Sequence, residues 1–267
     1  MSNPMFNEAA FERAKQEQSR PTAHAQRETL PTEELTPRYR VAGASVMTLQ
    51  GTINKTFFLL ALCVAGGYVG WNHSERLLSS SEWWLNGTML AAFAIAVLTG
   101  FKPVLASITA PVYAMAEGFC LGIISAILNE QVPGIILQAV LATGLVLAVM
   151  LFIYKTGILK VTQGFATAVV SATLAIAIMY SASLTFSLFG GDTSYLISSS
   201  PLSIGISVVV CIVAALNLML DFQFISDMSS SGDVPKFMEW YGGFALLVTL
   251  VWLYMEILTL LSKFKRR

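Results

Sequence analysis

The chain is 267 residues long, 55% apolar and only 12% charged, with a mean hydropathy of +0.67. That balance excludes a soluble domain with a polar surface. Sixteen basic against 16 acidic residues leave no net field to recruit nucleic acid.

Residues 1–54 hold most of the soluble charge, broken by Pro21, Pro31 and Pro37, and read as a polar, partly disordered tail. The tail has no apolar segment of the kind a cleaved signal peptide needs, so none is expected. Residues 55–263 form the expected membrane domain, and 264–267 a short basic tail. Within the domain, apolar stretches at 56–71, 83–101, 103–128, 134–154, 164–189, 202–225 and 238–262 each approach the ~20 residues that cross ~30 Å of hydrocarbon. The expected fold is therefore all-α, with about seven transmembrane helices. Trp71, Trp83, Trp84, Trp240 and Tyr241 mark interfaces, and Pro103, Pro133 and Pro201 open helices.

The third stretch carries Ala106, Ala110, Ala114, Gly118, Gly122 and Ala126, a small residue at every fourth position. One side of this helix is expected to approach a neighbour closely. Arg38, Arg40 and Lys55 precede the first span, and Lys102, Lys155, Lys160 and Lys236 fall in the even loops, against Arg76 in the odd ones. The amino terminus is expected in the cytoplasm. Seven crossings would then put Lys263, Lys265, Arg266 and Arg267 outside, so either this end is an exception or one segment is re-entrant.

Cys63, Cys120 and Cys211 each lie in apolar sequence, and His24 and His73 lie outside it. Zinc sites and serine–histidine catalysis therefore lack their side chains, and neither an enzyme nor a resident cofactor is expected. Asp192, after Gly190 and Gly191, matches half of an intramembrane aspartyl protease signature, but no partner Tyr-Asp motif accompanies it.

Glu117, Asp221 and Glu256 lie well inside the apolar limits, with no lysine or arginine at comparable depth. An ionised carboxylate there costs on the order of 2.5–3.5 kcal/mol on insertion scales, so each must be protonated, hydrated, share a proton or bind a cation. All three are candidates for an ion pathway or pH switch, and for weak calcium binding in passage. Their estimated depths form a ladder, with Glu117 between Asp221 and Glu256. Ser207, Ala214 and Asp221 recur at heptad spacing, as do Gly242, Thr249, Glu256 and Lys263, giving each closing helix a small or polar stripe. Such stripes suit a hydrated crevice and equally suit interhelical hydrogen bonds. Glu239 is an additional acid at the membrane edge, where water and the helix dipole can both support it.

Asn217 to Gln223 (NLMLDFQ), Glu239-Trp240-Tyr241 and Leu250 to Lys263 (LVWLYMEILTLLSK) resemble the closing helices of the Bax inhibitor-1-like (transmembrane Bax inhibitor motif) family in its bacterial branch. Ala110 to Ser125 (APVYAMAEGFCLGIIS) and Asn3-Pro4 fit that branch too. The resemblance implies seven helices with the last at the centre, a bacterial inner-membrane location and a pH-sensitive calcium leak. It also implies a gating pair of acids that share a proton, here Asp221 and Glu256, the second being Glu where the family more usually has Asp. A hairpin turning near Ser231 to Val234 would set Asp221 opposite Leu246 and leave Glu256 ~15 Å farther out. The partners expected are the lipid bilayer and calcium or protons. The alternative is a non-conducting protein that modulates a membrane protease or another membrane complex.

Overall fold

In a computed structural model, residues 46–80, 83–189 and 198–266 are described; most of the polar tail and Gly190-Gly191-Asp192 lie outside them. The helices are α1 (Leu49–Ser80), α2 (Trp83–Phe101), α3 (Ala106–Gln131), α4 (Ile135–Thr156), α5 (Gln163–Leu188), α6 (Pro201–Ser231) and α7 (Met238–Lys265). A 3₁₀ turn, Pro103–Leu105, leads into α3.

Helix α1 is twice as long as its apolar stretch and takes in Leu49–Asn54, which sequence composition assigns to the tail. Polar side chains there serve the helix. The Thr52 and Thr56 hydroxyls bond back to the carbonyls of Thr48 and Thr52, and Gln50 Nε2 donates to Asn54 Oδ1 one turn on. The start of α6 follows capping rules, with the Ser200 hydroxyl accepting from the Ser203 N–H and Pro201 in the first turn. Gly232 ends that helix at a φ of 72°, a left-handed conformation that side chains other than glycine rarely adopt.

Among the described residues six helices are long and apolar enough to cross a bilayer, while the Gly87–Phe101 part of α2 is shorter. The count of traverses follows from packing. Gly66 and Gly70 of α1 lie against the carbonyls of Met115 and Phe119, and Gly118 and Gly122 of α3 against those of Cys63 and Gly67. Partner numbers rise together, so α1 and α3 are parallel and α2 must carry the chain back between them. The described residues thus make seven traverses. Gly118 and Gly122 of the small-residue stripe make this contact, and Ala106, Ala110, Ala114 and Ala126 of the same stripe are buried as well.

Helix α7 is central, touching α1, α3, α4 and α6. It buries residues around its whole circumference, from Gly242 and Phe244 to Leu253 and Leu258. A helix apolar on every side belongs inside a bundle. The outer helices instead turn Phe57, Val64, Phe93, Ile108, Phe152 and Ile178 outward, a surface fit for hydrocarbon rather than water.

Candidate functional site

Helices α6 and α7 pack antiparallel, and their heptad stripes meet along one seam. Lys263 Nζ donates to Ser207 Oγ at 2.7 Å and to the Ser203 carbonyl at 3.4 Å. Asp221 interacts with the Thr249 hydroxyl. These pairs are fourteen residues apart on each helix, so the register sets Glu256 opposite Ala214 midway between them. The connection that sets this register includes the turn at Pro235–Met238, later than the turn expected from sequence. Asp221 consequently meets Thr249, three residues beyond Leu246.

Asp221 and Glu256 are therefore not a contacting pair. They lie on one stripe, two helical turns or ~10 Å apart along α7. Helix α5 supplies Glu256 with its own partner. Tyr180 donates its hydroxyl to Glu256 Oε1 at 2.9 Å, and Trp252 Nε1 donates to the same oxygen at 3.2 Å. One turn from Asp221 on α6, Asn217 Nδ2 bridges to Thr173 Oγ1 of α5 at 2.8 Å and to the Val213 carbonyl at 2.9 Å. Asp221 Oδ2 stands apart, buried and without a hydrogen-bond partner among the described residues.

By sequence depth no lysine or arginine lies beside these acids, yet Lys263, 5% exposed, carries its ammonium into the same seam one heptad from Glu256. It sits in the last turn of α7, but helical side chains lean toward the amino terminus. Its four-carbon stem thus carries the ammonium inward to the level of Ser207. Tyr180 and Lys263 are the site residues that sequence reasoning missed. The Lys263 signal was present in the heptad run that includes Thr249 and Glu256, whereas nothing local marks Tyr180.

Glu239 is also corrected. It is 1% exposed rather than open to water. Thr48 donates its N–H and its hydroxyl to Oε1 at 3.0 and 2.9 Å, while Lys55 of α1 forms an ion pair with Oε2. The Lys55 ammonium also lies 5.3 Å from the Trp240 ring centroid. The residues just ahead of α1 fold over the start of α7 and close off the solvent.

Glu117 does not join the seam. It is half-buried on α3, with Tyr113, Cys63 and Cys120 as its electrostatic neighbours. The bracketing contacts Tyr113–Phe244 (5.2 Å between ring centroids) and Ser125–Tyr254 (2.8 Å) put it about level with Leu247 and Val248. The three acids occupy three separate neighbourhoods, and no cluster able to hold a metal occurs among the described residues. The ladder is corrected too, because Glu117 lies near the height of Asp221 rather than between Asp221 and Glu256.

A groove of about 750 Å³ separates α1 from α4, floored by Gly118, Gly122 and Tyr254 and walled by Val64, Tyr68 and Val140. The family model described as Bax inhibitor 1 like matches residues 3–266, nearly the whole chain. The chain belongs to the Bax inhibitor 1 like family. Among curated proteins none matches it. In this family member the acids in the closing-helix motifs thus share a seam but hold different partners, with α5 supplying Tyr180 to one of them.

Proposed function

We propose that this chain is a pH-sensitive cation pathway of a bacterial inner membrane, passing calcium or protons along the α6–α7 seam, with its amino-terminal end in the cytoplasm. It performs no catalysis and needs no resident cofactor. The observation that supports the reading is the unpartnered buried oxygen of Asp221. Oδ2 holds charge only if water, a proton or a passing cation reaches it, because an isolated charge in low dielectric is too costly to keep. With the acids dispersed, a calcium ion in transit would meet one carboxylate at a time. That suits passage better than storage.

The orientation follows Lys55, Lys102, Lys155, Lys160 and Lys236, which share the amino-terminal end of the bundle. At the opposite end Lys263 is buried in the bundle, and Arg266 donates to the neutral Gln131 side chain.

The test is reconstitution of the full chain in liposomes carrying calcium- and pH-sensitive dyes, read between about pH 6 and 8. The expected result is a flux above that of empty vesicles that changes with pH. Equal fluxes in protein-containing and empty vesicles end the reading. The α1–α4 groove favours a second reading, a non-conducting protein that receives an apolar segment of a membrane protease or another membrane complex. Under that reading the same vesicles stay tight.

A further inference from the structure

The residues just ahead of α1 form a strap across the turn between α6 and α7. Val46 pairs with Pro235 as an isolated antiparallel bridge, and the Met47 N–H donates to the Val234 carbonyl at 2.8 Å. Thr48 and Lys55 grip the Glu239 carboxylate from two sides. A Cβ at Gly51 would fall on that carboxylate, so glycine is what lets α1 come this close.

The strap carries Met47 inward to 2% exposure. Its Cε stands beside Gly242, together with Ile225 Cγ1 and Thr52 Cγ2. Ile225 lies one turn from Asp221 on α6, and Gly242 lies two turns from Thr249 on α7, both toward the amino-terminal end of the bundle. Met47 therefore fills the seam between that end and Asp221. An unbranched thioether can leave such a gap without shifting a helix, and the polar grip on Glu239 can exchange for water once the strap lifts.

We propose that residues 46–48 are an internal plug closing the cytoplasmic mouth of the pathway above Asp221, latched by Glu239 with Thr48 and Lys55. The plug rests on the proposed ion pathway. Breaking the latch lifts Met47 out of the seam, and fixing the strap holds the seam shut.

The experiment uses the full chain in liposomes with two readouts. Glu239→Gln and Lys55→Gln should each raise flux roughly tenfold, the factor expected when a charged hydrogen bond of a closed state is lost. In a Met47→Cys background, a water-soluble maleimide should label Cys at 47 slowly with the latch intact and much faster with Glu239→Gln added. A Val46→Cys/Pro235→Cys disulfide, placed where antiparallel partners are near enough to bridge, should suppress flux until reductant is added. Labelling that ignores the latch variants, in vesicles that do conduct, overturns the plug and leaves the pathway standing. Faster labelling with no flux in any vesicle overturns the pathway and the plug's role in it.

Discussion

Asp221 and Glu256 share one stripe of the α6–α7 seam but never meet, since Asp221 interacts with Thr249 while Tyr180 and Trp252 hold Glu256. Each acid therefore answers to different neighbours. Substitutions at the two positions should separate in their effects rather than copy one another.

Asp221→Asn keeps the shape and removes the titrating group, so the pH response of flux should disappear while the protein stays folded. Thr249→Val should move the pH profile without abolishing it, because it removes a neighbour and not the carboxyl. Vesicle flux measured across about pH 6 to 8 checks both. An Asp221→Asn protein with the wild-type profile would remove Asp221 from the switch.

Lys263 and Glu256 should behave as a coupled pair in thermal unfolding in detergent. Lys263→Met leaves Glu256 without its nearby ammonium, and Glu256→Gln leaves Lys263 without its nearby carboxylate. Each single change should cost roughly 1–3 kcal/mol, and the double variant distinctly less than the sum. Additive losses would mean that the two charges do not sense each other.

The seven helices and the small-residue contact were legible because each depends on local pattern, an apolar run or a spacing of four. The stripe from Gly242 to Lys263 was legible for the same reason. Register was not. The turn after Gly232 runs on to Met238, and those few residues decide that Asp221 meets Thr249 rather than Leu246. Tyr180 was invisible because its role depends on how α5 packs against α7, a long-range choice with no sequence period. Glu239 misled because its cover, Met47 and Thr48, comes from almost two hundred residues earlier in the chain.

The α1–α3 contact should be intolerant of any added atom. Gly118→Ala puts a methyl on the Cys63 carbonyl, and Gly122→Ala puts one on that of Gly67. Backbone cannot step aside as a flexible side chain can, so each variant should lose about 1–3 kcal/mol in detergent unfolding assays. Gly144→Ala, in the wall of the α1–α4 groove with nothing within 4 Å, is the matched control and should be neutral or slightly stabilising. Equal losses at all three sites would rule out the α1–α3 backbone approach as the cause, because a helical Gly→Ala change in open space is favourable.

Glu117 supplies the last prediction, since no closing-helix motif accounts for it and no hydrogen bond holds it among the described residues. It adjoins Gly118 in sequence, so its side chain is rotated ~100° from the stripe that packs on α1. Glu117→Gln preserves volume and removes the charge. Because no partner is stranded by the change, stability should stay within about 0.5 kcal/mol of wild type. If ions reach the carboxylate on their way to Asp221, at nearly the same depth, flux should fall severalfold in the same preparation. A variant with unaltered flux and stability would leave Glu117 outside the pathway. A destabilised one would reveal a structural bond from Glu117 to its surroundings, and either result would confine the pathway to the α6–α7 seam.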